Sequence, residues 1–270
     1  MHRSDKLEDL KALIGNRDRL LISFSGGVDS SLLAYVAKDV LGEKALCVIL
    51  DSETLPRSEL NHAEVLAKSL GLNYQVVRFS ILADKDFANN SPKRCYICKK
   101  ISIGMLKNLA AQCGMDSIAD GVNLTDYKDY RPGMAACEEE GIWHPFVDAK
   151  ITKEDIREIA RDLGLSSWDK PSTACLASRI PYGEDITADK LSRVENAEDH
   201  LKSLGFVQVR VRDHNQMARI ELPNEELQRA LKLGDKIAAK LQDIGYRYVT
   251  LDLQGFRSGS MNEVLWTGKK

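Results

Sequence analysis

The sequence predicts an α/β protein in which helices cover both faces of a parallel sheet, followed by a small α+β module. Three observations carry this reading. Short apolar runs alternate with amphipathic stretches over the first two thirds of the chain. A glycine turn joins the first run directly to an apolar helix. The periodicity then vanishes between Leu165 and Thr187, and a hairpin-like pattern follows.

Taken in order, Leu20–Phe24 reads as a buried strand and Ser30–Val40 as the helix after the glycine turn. Ala45–Leu50 is a second strand. Arg57–Leu70 places Leu60, Ala63, Leu66, Ala67 and Leu70 at helical spacing. Tyr74–Phe79 is a third strand, Lys99–Cys113 a helix and Ser117–Asp120 a short strand. Thr152–Leu163 opens like a capping box, with Asp155 three residues after Thr152, and stops at Gly164. Beyond Ala188 the pattern gives one helix, two strands (Phe206–Arg212 and Ala218–Leu222), a helix from Asn224 to Ile244 and a strand at Tyr248–Leu253. The expected division is 1–183, including a catalytic loop at 165–187, and 188–270.

The 270 residues carry 38 Lys+Arg against 40 Asp+Glu, a net charge of −2. With 43% hydrophobic and 29% charged residues, the composition argues against disorder and fibrous structure. A dedicated duplex-binding domain would be strongly basic, so no stable nucleic-acid partner is expected. The charged start of the chain lacks the unbroken apolar stretch of a signal peptide, and runs such as LLISF are too short to span a bilayer. A cytoplasmic protein with no membrane partner is the expectation. Six cysteines without an export signal read as thiols, ligands or core residues.

Ser25-Gly26-Gly27-Val28-Asp29-Ser30-Ser31 stands between a strand and a helix. Two glycines permit a tight turn and close approach by a ligand, and amides at a helix N-terminus favour an anion. Hydroxyls of Ser25, Ser30 and Ser31 add hydrogen bonds, and Asp29 suits a Mg²⁺ that shares charge with phosphates. A Walker loop would carry a Lys here instead of Asp29-Ser30. Strand ends at Asp51-Ser52 and Gly121 are candidates for gripping the nucleoside. Cys95 and Cys98 form a C-x₂-C pair ahead of a helix, among Lys93, Arg94, Lys99 and Lys100, which favours thiolate. Zinc, iron–sulfur and redox chemistry all fit such a pair. If the 165–187 loop folds back to the pocket, Cys175, 77 residues beyond Cys98, is the natural third partner, whereas Cys47, Cys113 and Cys137 read as core or passive thiols.

The SGGVDSS loop resembles the pyrophosphate loop of the N-type ATP pyrophosphatase (PP-loop) superfamily, which implies an adenine nucleotide α-hydrolase-like domain that cleaves ATP between its α and β phosphates. Four further stretches, Cys95-Tyr96-x-Cys98-Lys99, Asp120-Gly121-Val122-Asn123 with Asp129-Tyr130-Arg131-Pro132-Gly133, Trp168-Asp169-Lys170-Pro171 and Ala174–Gly183, resemble the LarE family of ATP-dependent sulfur transferases in nickel-pincer cofactor synthesis. The resemblance implies that a pyridinium biscarboxylic acid mononucleotide is adenylated by ATP with Mg²⁺, and that sulfur then displaces AMP. It implies catalytic roles for Cys175, Ser178, Arg179 and Asp29. In one branch of the family the cysteine matching Cys175 gives up its own sulfur. In another, three cysteines, here Cys95, Cys98 and Cys175, hold a [4Fe–4S] cluster. The presence of Cys95 and Cys98 favours the cluster branch. Family members assemble, so a homo-oligomer is expected.

Strand alternation sets Arg210 and Arg212 on one face, opposite Val207, Val209 and Val211. With Glu221 on the neighbouring strand, the resemblance makes them candidates for the substrate phosphate; Arg219 shares that strand face. Rival readings are a tRNA thiolase, an amidating ligase of the NAD or GMP synthetase kind, or a nucleotide-sensing module without catalysis.

Overall fold

In the first strand of the sheet, Leu20–Ser23 (β1), and its neighbour Ala45–Asp51 (β2), almost every residue is buried, as parallel strands covered on both faces require. The structure is a computed structural model that describes residues 3–128, 132–171, 173–257, 259–260 and 263. Asp129, Tyr130 and Arg131 of the sequence motif lie outside the described residues. Contacts divide the chain into two compact units, Met1–Phe79 with Cys95–Thr173, and Ser80–Arg94 with Ala174–Lys270. This division falls at different points from the 183/188 boundary expected from sequence.

The first unit adds the helices Arg3–Gly15 (α1), Val28–Leu41 (α2) and Arg57–Ser69 (α3) and the strand Tyr74–Arg78 (β3). After a four-residue helix at Lys85–Ala88 (α4), which belongs to the second unit, come Arg94–Cys113 (α5), Ser117–Ala119 (β4), Pro132–Glu139 (α6), Pro145–Asp148 (α7) and Lys153–Asp162 (α8). The sheet runs β3-β2-β1-β4 with every pair parallel. Alternation sends Leu20, Ile22, Cys47 and Ile49 to a face packed by α1, α2, α3 and α8 through Leu10, Leu32, Leu66 and Ile156. Leu21, Leu46 and Val48 go to the other face, against Leu106, Leu109 and Ala110 of α5. Trp143 lengthens the β4 edge by a parallel bridge to Ala119.

The second unit comprises α4, a 3₁₀ turn at Leu176–Arg179, the helix Ala188–Ser203 (α9), the strands Arg210–His214 (β5) and Met217–Glu221 (β6), the helices Leu227–Lys232 (α10) and Gly234–Asp243 (α11), and the strand Tyr248–Leu251 (β7). β5 and β6 are antiparallel, and β7 joins β6 in parallel. Leu201, Phe206, Val211, Ile220, Leu241 and Tyr246 form its core.

Several element boundaries differ from the sequence reading, four of them with a visible local cause or consequence. α2 begins at Val28, because extended Gly27 caps it (φ −82°, ψ 165°), so Asp29, Ser30 and Ser31 occupy its first turn. α5 begins at Arg94, where a turn closes from the Arg94 N–H to the Ser91 carbonyl, and the C-x₂-C pair therefore lies within the helix. The helix expected at 224–244 is broken at Leu233 (φ −98°, ψ 10°), ahead of Gly234. β5 starts only at Arg210, with Val207 left outside the ladder and 87% exposed. Among the described residues, no helix is long and apolar enough to cross a membrane.

Candidate active site

In the first unit, the glycine loop is shaped by what surrounds it. Gly26 has φ +69°, and a β-carbon there would lie 2.9 Å from the Ala63 Cα of α3. Ser25 and Ser30 are joined through their hydroxyls at 3.1 Å, the Ser25 N–H donates to Ser30 Oγ, and Ser30 Oγ donates to the Gly27 carbonyl. Gly27 provides α2 with no side-chain cap, which leaves first-turn N–H groups for an anion. Ser31 is fully buried, and its hydroxyl has no hydrogen-bond partner among the described residues.

Asp29 faces Lys153 at the start of α8 in an ion pair and accepts a 3.2 Å hydrogen bond from Asn123 Nδ2. The same amide donates to Asp126 at 2.9 Å. Thr152 caps α8 and with Asp155 completes the capping box, which fixes Lys153 in place. Gly121 lies against this junction: a β-carbon on it would be 2.9 Å from Asp29 Cβ and 3.0 Å from the Ser30 nitrogen. The preceding Asp120 is buried beside His144 Nδ1 (2.7 Å) and Lys99 Nζ (3.1 Å). Burial alone would raise its pKa; the His144 hydrogen bond and the Lys99 charge outweigh burial and hold the carboxyl well below the usual range.

Asp51, at the end of β2, is paired with Arg57 (2.6 Å) and Arg78 (3.2 Å), and Ser52 Oγ lies 3.0 Å from Thr54 Oγ1. Lys170 of the Trp168–Pro171 segment pairs with Glu59 on α3, one turn from the Ala63 that supports Gly26. Cys95 is exposed and Cys98 partly so, one helical turn apart on α5. Of the cations read as favouring thiolate, Lys99 is paired with Asp120 and Lys100 with Glu139 and Glu140. Burial pushes the thiols of Cys47 and Cys137 up to about 12, which fits their reading as passive groups. Among the described residues, no group of three His, Cys, Asp or Glu side chains is arranged to hold a metal.

The second unit gathers Cys175, Ser178, Arg179, Arg210, Arg212 and Glu221. Cys175 is exposed at the start of the 3₁₀ turn. Arg179 is 1% exposed: its Nε and Nη2 donate to the two oxygens of Glu198 at 2.9 Å, and its Nη1 donates to the Ala174 and Cys175 carbonyls and to Ser178 Oγ. Glu198 also accepts from the Val211 N–H of β5. Arg212 donates to the Ser178 carbonyl, to Glu221 (2.7 Å) and to Ser260 Oγ. Arg219 binds the other Glu221 oxygen at 3.2 Å. Arg210 stands opposite Glu221 in the ladder yet donates to its neighbour Val209's carbonyl and lies over the Phe256 ring. Burial, then the charge of Arg179, lowers its pKa to about 10, the mark of a crowded cation beside which an anion is favoured.

Residues 9–95 match the NAD synthase family, the stretch that holds β1, the glycine loop and β3. The pyridinium-3,5-bisthiocarboxylic acid mononucleotide synthase of Lactiplantibacillus plantarum is 41% identical over 261 residues, 96% of this chain and 95% of that protein. The chain belongs to this LarE family. An uncharacterised Synechocystis protein is 44% identical over 96% of the chain and 98% of its own length. A GMP synthase polypeptide of Thermoplasma acidophilum is 28% identical over 75% of the chain and 71% of its own. As a LarE-family member the chain is an enzyme with a PP-loop ATP-binding domain.

Several residues of this candidate site carry no signal of their own in the sequence. For Lys153, nothing local shows that α8 points its first turn at Asp29. Glu198 carries no local signal in the sequence, and only the fold reveals that it is buried against Arg179. Asn123 stands in the Asp120–Asn123 stretch, and only the fold shows that its amide donates to Asp29.

Proposed function

We propose that the chain converts carboxylates of pyridinium-3,5-biscarboxylic acid mononucleotide into thiocarboxylates, in the synthesis of a nickel-pincer cofactor. The observation that carries this reading is that Cys175 is exposed while the backbone around it is fixed from beneath by buried Arg179. A thiol kept accessible on an immobilised loop is suited to chemistry rather than packing.

In the first half-reaction a substrate carboxylate oxygen attacks the α-phosphorus of ATP, and pyrophosphate leaves. The α2 amides at Gly27–Ser30 receive phosphate oxygens, and Lys153 balances charge that Asp29 shares with Mg²⁺. Asp29 fits that ion as a partly accessible hard oxygen donor. In the second half-reaction sulfur attacks the acyl carbon and AMP leaves. If Cys175 is itself the donor, its thiolate forms a thioester. Loss of its Cα proton then breaks the Cβ–S bond, giving thiocarboxylate and dehydroalanine. Alternatively, Cys95, Cys98 and Cys175 would serve as the soft thiolate ligands of a [4Fe–4S] cluster, a group that would supply an open iron for a sulfide and so permit repeated turnover. Arg179 and Ser178 hold the Cys175 loop. Arg210 and Arg212, with Glu221 and Arg219 orienting Arg212, receive the substrate phosphate. The functional division at 183/188, a cytoplasmic location and a homo-oligomeric state belong to the same proposal.

The test is product analysis under anaerobic conditions with ATP, Mg²⁺ and the mononucleotide. AMP, pyrophosphate and a thiocarboxylate are expected. An amide, or ATP consumed with no thiocarboxylate in the presence of sulfide, contradicts the reading. Iron and sulfide analysis of the same protein separates the two sulfur sources: stoichiometric cluster supports the three-cysteine arm, whereas a mass loss of about 34 Da at Cys175, with no iron, supports the other.

A further inference from the structure

Asn90 has no accessible surface and a φ of +53°, a left-handed conformation that few residues other than glycine tolerate. Its side chain holds the course of the chain after Cys175. Asn90 Nδ2 donates to the carbonyls of Ile180 (3.2 Å), Pro181 (2.7 Å) and Glu184 (3.0 Å). Asn90 Oδ1 accepts from Arg94 Nη1 at 2.5 Å. Arg94 also reaches the Ile180 carbonyl at 3.3 Å, and its guanidinium lies 4.4 Å from the Tyr182 ring centroid. Two backbone bonds complete the clamp, from the Gly183 N–H to the Asn90 carbonyl and from the Ile186 N–H to the Ala88 carbonyl.

We infer that Asn90, braced by Arg94, is a positioning residue for sulfur transfer, holding the 180–186 backbone so that Cys175 keeps a defined pose. The chemistry of the side chain supports this. An amide donates and accepts at once; a carboxylate has no N–H for three carbonyls, and alanine has neither group. Arg179 secures the near side of the Cys175 loop through Glu198, and Asn90 secures the far side. All of the carbonyls bound by the amide lie in that loop rather than in a helix or strand. This inference rests on the proposed role of Cys175 as sulfur donor or cluster ligand.

Asn90→Gly separates the amide from the backbone, because glycine adopts φ +53° without strain. Full-length protein with this substitution is expected to keep the wild-type KM for ATP in substrate-dependent ATP–pyrophosphate exchange. Its thiocarboxylate formation should fall by about tenfold or more. Amides 174–186 should exchange hydrogen for deuterium at least about tenfold faster. Asn90→Gln, which retains an amide, should recover part of the transfer rate, and Asn90→Asp should not. The inference is overturned if Asn90→Gly transfers sulfur at the wild-type rate, or if exchange and transfer fall in proportion. Absence of sulfur transfer in the wild type would instead sink the reading of Cys175, and the deuterium measurement would still report on the clamp.

Discussion

Gly121 has no room for a β-carbon, since Asp29 Cβ, the Ser30 nitrogen and the Asp29 carbonyl carbon all lie within 3.2 Å of where one would sit. Backbone at the start of α2 cannot yield without moving the amides proposed to receive phosphate. Gly121→Ala is therefore expected to raise the KM for ATP roughly tenfold to a hundredfold and to cost about 1–3 kcal/mol of stability. Unchanged ATP kinetics would contradict the close approach. Asp120, the residue before Gly121, gives a prediction in pH. Its folded pKa is depressed, so its contribution is full above the unfolded value of about 3.9 and is lost as pH falls through the folded value. Asp120→Asn should destabilise the protein evenly from pH 5 to 8, with the gap to wild type narrowing below about pH 4. Urea midpoints across that range check it; a gap as wide at about pH 3 as at pH 7 contradicts it.

At the scale of elements, α9 does more than bury Leu201 and Ala197. It carries Glu198 under the Cys175 loop, where the carboxylate binds Arg179 and the Val211 N–H together. Replacing a buried pair with apolar residues can be neutral, but removing one partner leaves an uncompensated charge. Glu198→Gln should thus cost about 3–5 kcal/mol in denaturant unfolding, and Glu198→Gln with Arg179→Met should recover much of it. If the double substitution is no better than the single one, Arg179 is not the group that Glu198 neutralises. The elements themselves were mostly legible. Strands with apolar residues on both faces and a helix opened by Thr152 and Asp155 announce themselves locally. The ends were less so: where α5 starts depends on the Ser91–Arg94 turn, and the break at Leu233 is marked only by the single Gly234 after it, which a continuous helix would also tolerate.

For the whole molecule, the legible part of the candidate site was the part written in consecutive residues. The glycine loop, the C-x₂-C pair and the stretch around Cys175 each sit in one run of sequence. Pairings such as Lys153 with Asp29, 124 residues apart, or Asn90 with Glu184, 94 apart, exist only after the chain has folded. Arg179 shows the same limit. The resemblance implies a catalytic role for it, and in the structure its hydrogen bonds among the described residues point into the loop and α9. The central claim is that activation by ATP and delivery of sulfur are separate acts, the second depending on Cys175. Its most direct measurement is a Cys175→Ala chain incubated anaerobically with ATP, Mg²⁺ and mononucleotide, with pyrophosphate and thiocarboxylate followed together. Pyrophosphate release without thiocarboxylate is the predicted result; thiocarboxylate at the wild-type rate would contradict the account.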